Sequence, residues 1–457
     1  MRNVNMNTWS VCFVGVILLP TICGIMVNTP VGNVIGVEKT LDIDGTPRRI
    51  SVFNGIPYAE STAGANRFMK PIPKAPFSSP FNVTEYPIGC RQGSEAMETA
   101  TSSYVTYTED CLILTIYVPH TFANRAIKLP VLVWFYGGGF FLGSVADYNA
   151  DYLSAFGNVV VVTVNYRIGP FGFMRSADGQ LIGNQGLWDQ HLALRWVHDN
   201  IAAFTGNPAE VAIFGQSAGA ASVSYQALYP GNRGLFQRVI AQSGTALSSW
   251  GYSEKPDISD FLTKTGCGMD IPCLQALPAE KLMFDISDVK ALVHYRPTVD
   301  NDFLIDTPYN IMFGKDSKSE SARNFFASLD IIQGVASDEA AMFLPVFQQM
   351  LNTTDFDNFT LTQTQFTEQA IPYFQDFFMY LDPVKDAKTI RVLTNLFAFE
   401  YSNWTDPDNL DSPRQAAIQI ITDHGFFFPL VQTVAAHVAL THQPHATYVY
   451  EFAIKPC

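Results

Sequence analysis

The pentapeptide Gly215-Gln216-Ser217-Ala218-Gly219 joins an apolar run, Val211 to Phe214, to a stretch of small residues, Ala220 to Ser224. The run reads as a buried strand and the stretch as the start of a helix, so the pentapeptide must turn the chain sharply between them. In such a turn the Cα atoms of the flanking glycines press on neighbouring backbone, and a Cβ there would clash. The serine hydroxyl is lifted clear of the sheet, and the N–H of the next residue falls at a helix N-terminus. An ordinary loop serine is the competing reading. The strand and helix signals on either side disfavour it.

The same alternation runs through the middle of the chain. Leu129 to Tyr136 is apolar and ends on Gly137-Gly138-Gly139, and Asn158 to Asn165 is Val-rich, as in a strand buried on both faces. Between Gly186 and Ala203, Leu187, Leu194, Val197 and Ile201 recur at helical spacing until Gly206-Asn207-Pro208 stops the helix. Arg238 to Gln242, Leu329 to Gly334 and Thr447 to Ile454 are further strand candidates. A length of 457 residues allows one large domain or several smaller ones, but no repeat and no Pro/Gly/Ser linker divides the chain. The expectation is an α/β fold: one domain over residues 25–457, with a large, mainly parallel central sheet flanked by helices. Ser248 to Ser328 is irregular and is expected to roof a site.

The chemistry of an exposed serine on such a turn is acyl transfer, which builds negative charge on a carbonyl oxygen and needs donors preorganised for it. Backbone N–H groups approach that oxygen only where side chains are absent. Gly138 and Gly139, with the Ala218 N–H, are the candidate donors of an oxyanion hole. A phosphate-cradling loop is one alternative, but no Lys-Ser/Thr follows the glycines; a plain flexible turn is the other. A triad also needs an acid. Glu339, after the strand candidate ending at Gly334, is suitably spaced, with Asp338 beside it as the rival; on composition alone either reads as a solvated loop carboxylate.

The formal net charge of −14, with no basic run, argues against nucleic acid or an anionic membrane as partner. Arg2 precedes an apolar stretch, Trp9 to Leu19, that ends at Pro20-Thr21-Ile22-Cys23-Gly24. Residues 1–24 are therefore expected to be a signal peptide, with an uncleaved anchor as the alternative, and the protein to be secreted. Export suits Cys90, Cys111, Cys267, Cys273 and Cys457, for which the local pairings Cys90–Cys111 and Cys267–Cys273 are open, leaving Cys457 over. No second His/Cys cluster stands at zinc-ligand spacing, so neither a metal nor another cofactor is expected. Asn82, Asn352, Asn358 and Asn403 lie in glycosylation sequons.

Taken together, these motifs resemble the type-B carboxylesterase and cholinesterase family of α/β-hydrolases. Family-like stretches include Phe53-Asn54-Gly55-Ile56-Pro57-Tyr58-Ala59-Glu60, Glu109-Asp110-Cys111-Leu112, Asn165-Tyr166-Arg167 with Gly169, Asp189, Asn200 to Phe204, and Gln242-Ser243-Gly244. The resemblance covers the sequence from about Met26 onward. It implies a nucleophile at Ser217, a triad acid at Glu339, an oxyanion hole at Gly138, Gly139 and Ala218, and disulfides Cys90–Cys111 and Cys267–Cys273. The substrate it implies is a small carboxylic ester. The sequence departs from the family at Gln216, where Glu is usual before the nucleophile, and at Ala340, where Gly usually follows the acid. The Cys90–Cys111 loop also lacks the Trp with which cholinesterases stack a quaternary ammonium. The missing Trp and the loss of negative charge at Gln216 favour a general carboxylesterase over a cholinesterase.

A serine needs a base, and the family supplies a histidine in a Gly-x-x-His-x-x-Glu/Asp setting beyond the last major strand. None of His120, His191, His198, His294, His424, His437, His442 or His445 has that setting. The triad histidine is thus expected beyond Cys457, in a protein whose C-terminal part is missing from this sequence. The alternative is a catalytically inactive adhesion or binding member of the same fold.

Overall fold

The computed structural model describes residues 24–83, 88–94, 98, 104–120, 128–254, 256–284, 294–344, 360–379, 387–406, 411–441 and 444–453. The expected signal peptide up to Cys23, together with Asn352, Asn358, His442 and Cys457, lies outside them.

The described strands are β1 (Gly24–Thr29), β2 (Gly32–Ile43), β3 (Thr46–Pro57), β4 (Phe81–Asn82), β5 (Ile88–Cys90), β6 (Thr106–Thr108), β7 (Ile113–Pro119), β8 (Leu129–Phe135), β9 (Val160–Val164), β10 (Gly206–Gln216), β11 (Arg238–Gln242), β12 (Asp330–Ala336) and β13 (Thr447–Phe452). The main sheet runs β1-β2-β3-β7-β9-β8-β10-β11-β12-β13, with β4 beside β2, while β5 and β6 pair separately. From β9 through β13 every neighbour is parallel. From β1 to β9 the ladder is antiparallel.

The sheet is therefore mixed, and the antiparallel N-terminal part was not expected. Its β2 alternates between partly buried and exposed residues and carries Glu38, Lys39 and Asp42, so it lacks the continuous apolar run that marked the central strands. Its turn signal was nevertheless present: Asp44 and Gly45 link β2 to β3 with φ of 51° and 75°, the paired positive values of a tight two-residue hairpin. The central strands match expectation. Every residue of β7 and β9 is buried, and Asn158 to Asn165 contains β9.

Helices cover the sheet, among them α1 (Gln185–Asn200), α2 (Ala218–Leu228), α3 (Ser412–Thr422) and α4 (Phe428–Leu440). The expected helix over Gly186 to Ala203 is α1, followed by a tighter turn from Ile201 to Phe204. A buried ion pair ties α1 to the exit of β9. Arg167 donates through Nε and Nη2 to Asp189 at 2.8 and 2.7 Å, and its backbone N–H donates to the same carboxylate at 3.0 Å. Among the described residues, Ser248 to Ser328 holds short helical pieces.

The parallel half positions the site. The motifs leave the carboxyl ends of neighbouring strands, in register: Phe135 pairs Gly215, Gln216 pairs Gln242, and Gln242 pairs Gly334. Adjacent strands lie about 4.8 Å apart. The glycine loop after β8, the serine after β10, the Ser243 turn after β11 and the carboxylate after β12 are thereby brought to one edge, where open parallel sheets assemble ligand sites. At the far side β13 has Tyr448, Val449 and Phe452 exposed.

Candidate active site

Ser217 sits at the junction of β10 and α2 with φ 56° and ψ −122°, a conformation an L-residue adopts at a cost of about 1–3 kcal/mol. The surrounding backbone holds it there. Its N–H donates to the Gln242 carbonyl at 2.9 Å, and its carbonyl accepts from the Ala221 N–H at 2.9 Å. The two glycines are required as the sequence implied. A Cβ on Gly215 would lie 2.8 Å from the Phe135 carbonyl oxygen, and one on Gly219 would lie 2.8 Å from that of Tyr136. Ser217 is half-buried, Gln216 exposed and Ala218 buried.

The glycine loop leans directly on this turn. A Cβ on Gly137 would meet the Gln216 carbonyl oxygen at 2.5 Å and the Ser217 Cβ at 3.0 Å. Gly138, Gly139 and Phe140 then follow with φ of 117°, 62° and 69°. Three successive positive φ values bend the backbone so that its carbonyls are engaged by the loop itself. Gly138 O accepts from Phe141 and Leu142 N–H at 3.0 and 2.9 Å, and Phe140 O from Gly169 N–H at 2.7 Å. Phe140 is fully buried with its ring edge-on to Phe173, which anchors the bend. Among the described residues, no backbone carbonyl outside helices and strands accepts from the N–H groups of Gly138, Gly139 or Ala218.

Glu339 begins a single helical turn after β12 and folds back, so that Oε1 accepts from the Ala336 N–H at 2.7 Å. Burial pushes its carboxyl pKa above the ordinary 4.5, while hydrogen bonds from the Ser243 side chain and the Ala336 backbone pull the other way. Asp338 is exposed, and its carboxylate accepts from the neighbouring Ser337 hydroxyl at 3.2 Å. The structure thus separates two carboxylates that composition left equal. Ser243, at φ 60°, links the halves of the site: it follows Gln242, which holds Ser217, and its own N–H donates to Gly334 O at 2.8 Å. The Ala340 methyl is buried and its N–H donates to Thr422 Oγ1 at 3.2 Å.

No described histidine bonds to Ser217 or Glu339. His437 is buried under the amino end of the sheet, its Nδ1 2.7 Å from Thr447 Oγ1 and its Nε2 3.1 Å from the Phe326 carbonyl. Since a carbonyl only accepts, Nε2 carries the proton and the Thr447 hydroxyl donates to Nδ1. Thr447 pairs with Ile331 at the start of β12, so about 20 Å of strand separates this ring from Glu339. His445 pairs with Asp330 at the same end. His424 follows by two residues Thr422, which bonds the Ala340 N–H, but its ring packs 5.6 Å from Phe374 and 5.2 Å from Phe397. His120, His191, His198 and His294 bond to Ser51, Asn232, Asp199 and the Asp257 N–H.

Cys90–Cys111 and Cys267–Cys273 are disulfides. Asn82 and Asn403 are exposed. Among the described residues no group of His, Cys, Asp and Glu is arranged to hold a metal ion, and no helix is long and apolar enough to cross a membrane.

The model of the carboxylesterase family matches residues 24–456. The chain belongs to the carboxylesterase family. Bile salt-activated lipase of Mus musculus is 32% identical over 454 residues, 93% of this chain and 69% of that protein. Acetylcholinesterase of Bungarus fasciatus is 32% identical over 91% of this chain and 68% of its own length. Neuroligin-2 of Homo sapiens is 30% identical over 90% of this chain, which spans about half (51%) of its length. The α/β-hydrolase fold expected from the motifs is the fold of this carboxylesterase-family protein.

Sequence reasoning missed the part of Ser243, although Gln242-Ser243-Gly244 is one of the family-like stretches. A Cβ on Gly244 would stand 2.7 Å from the Ser217 carbonyl oxygen and 2.9 Å from the Trp250 ring. The tripeptide is thus a spacer between Ser217 and Glu339, and beyond that likeness its sequence signal was a glycine after a strand.

Proposed function

We propose that this carboxylesterase-family protein is a carboxylic ester hydrolase that works through an acyl-serine intermediate at Ser217. The observation that carries the reading is the contact of the strained Ser217 turn with the glycine loop, whose Gly137 leaves only 3.0 Å between a Cβ of its own and the Ser217 Cβ. Ser217 Oγ attacks the ester carbonyl as a base removes its proton. The carbonyl oxygen becomes an oxyanion held by the N–H groups of Gly138, Gly139 and Ala218, and its collapse breaks the bond to the alcohol. The alcohol leaves with the base's proton, and water then repeats the sequence on the acyl-serine. The reading assigns the base to a histidine outside the described residues, oriented by the Glu339 carboxylate. No metal or cofactor takes part in this scheme.

The two disulfides support a secreted protein, its leader in residues 1–24. Glycans at Asn82, Asn352, Asn358 and Asn403 belong to the same reading.

The test is active-site labelling of the folded, full-length protein. A fluorophosphonate should attach once, at Ser217, and p-nitrophenyl esters should turn over; Ser217→Ala should abolish labelling and lower kcat by roughly 10⁶-fold. A folded full-length protein that takes no label would overturn the proposal. It would favour the second reading, a binding member of the fold without turnover, which is supported by the observation that no described histidine reaches Ser217 or Glu339.

A further inference from the structure

We propose that Gln92 is a positioning residue for the oxyanion loop, acting through Gly143; this deepens the hydrolase reading and rests on it. Gln92 is 1% exposed, and its Oε1 accepts from the Gly143 N–H at 2.7 Å. That N–H belongs to the Leu142–Gly143 peptide, whose carbonyl oxygen packs against Gly138 so closely that a Cβ on Gly138 would overlap it. The next contact continues the series of constraints: a Cβ on Gly143 would lie 2.6 Å from the Gly137 carbonyl oxygen. The Gly137 carbonyl and the Gly138 N–H are two ends of one planar peptide. A side chain that fixes the Leu142–Gly143 peptide therefore fixes the direction in which the Gly138 N–H points.

The backbone at Gln92 is itself held. Gln92 follows the disulfide-bonded Cys90 by two residues, and its backbone N–H donates to Glu98 Oε1 at 3.0 Å. Glu98 Oε2 in turn accepts from Arg91 Nη1 at 2.8 Å. A second buried amide clamps the same loop to the same small sheet: Asn165 donates to the Ile88 carbonyl at 2.6 Å and accepts from the Val145 N–H at 3.0 Å. The glycine loop, with φ of 117° at Gly138 and 116° at Gly143, has no side chain at those positions to hold its shape. Besides the loop's own bonds to Gly138 O and the anchor at Phe140, it is held from outside, by Gln92 at Gly143 and Asn165 at Val145.

A glutamine that merely satisfied a buried N–H would affect stability alone, whereas a positioning residue sets the stabilisation of the oxyanion. The comparison uses full-length protein, with kcat normalised to Ser217 sites titrated by fluorophosphonate. Gln92→Met, which keeps the length and removes the acceptor, should lower kcat for p-nitrophenyl esters roughly ten- to hundred-fold with KM unchanged. Affinity for a trifluoromethyl ketone, which forms the oxyanion, should fall by the same factor as kcat/KM. Gln92→Glu, whose carboxyl oxygen still accepts from Gly143, should recover most of the rate. If Gln92→Met does not fold, Gln92→Asn, one methylene shorter, provides the same comparison. Wild-type kcat per titrated site in either folded variant, or equal losses in Gln92→Met and Gln92→Glu, would overturn the proposal. Absence of labelling and turnover in the wild-type protein would instead bring down the hydrolase reading, and this inference with it.

Discussion

The Cα of Gly219 lies against the carbonyl oxygen of Phe135, so closely that any Cβ there would overlap it. The contact ties the first turn of α2 to the end of β8, and it sets how near the glycine loop comes to Ser217. Gly219→Ala must push the helix and strand apart, because both partners are backbone. The expected loss is about 3 kcal/mol or more of stability, read as a lower urea midpoint, with fluorophosphonate labelling lost in whatever protein remains folded. Unchanged labelling would show that the turn tolerates the shift.

Glu339 and Asp338 make opposite predictions. If the folded-back carboxylate orients the base, Glu339→Gln should lower kcat by roughly 10⁴-fold at intact stability. Asp338→Asn, at an exposed position, should leave kcat within about twofold. Reversed effects would transfer the role to Asp338.

The titration of Glu339 provides a separate check. Burial raises its pKa above 4.5, and the Ser243 hydrogen bond opposes the rise. A raised carboxyl pKa means that the fold favours the protonated form. The contribution of this group to stability is therefore full below the unfolded pKa and is lost as pH rises through the folded one. Carboxyl-carbon NMR of ¹³C-labelled glutamate should show buried Glu98 titrating above the ordinary range and, assigned by its loss in Glu339→Gln, Glu339 as well. In Ser243→Ala the Glu339 inflection should move further upward; a downward move would contradict the assigned role of Ser243.

His437 is fully buried, and desolvation pulls its pKa from 6.5 to about 4. The unfolded protein binds this proton more readily than the folded one. Its contribution is complete above pH 6.5 and is lost as pH falls toward 4, amounting to on the order of 3 kcal/mol. Urea midpoints measured across that interval should fall more steeply in the wild type than in His437→Gln. Parallel curves would show that the ring is not the group that titrates.

The pair Arg167–Asp189 has no access to solvent on the Asp189 side. Asp189→Ala leaves a buried guanidinium without its carboxylate, and the expected destabilisation is about 3–5 kcal/mol. Denaturant unfolding measures it directly. A loss below about 1 kcal/mol would mean that water or another group replaces the carboxylate.

Where geometry is spelled out in small residues, the sequence was legible. Gly215, Gly219 and Gly137 to Gly139 announce close backbone approaches, and the strand candidates around Val160–Val164 and Arg238–Gln242 are β9 and β11 with little change of boundary. The antiparallel half was not legible, because β2 mixes charged and apolar residues and β3 opens on the exposed run Thr46 to Arg49, so neither shows a continuous apolar run. Glu339 was named from the sequence but could not be told from Asp338 without the family resemblance. Gln92 was invisible, since a single buried amide has no spacing to announce it.

The sequence by itself determined the local turns: which residues lack a Cβ, where strands give way to helices, and which serine stands at such a junction. Those properties depend on neighbours along the backbone, and steric exclusion writes them directly into residue types. Only the tertiary structure decided which side chains meet. Parallel register brings Phe135, Gln216, Gln242 and Gly334 to one edge of the sheet, and so sets Ser243 between Ser217 and Glu339. The same register puts His437 at the opposite edge. These contacts span tens to hundreds of residues, and their geometry follows from packing the whole sheet rather than from any local pattern of residues.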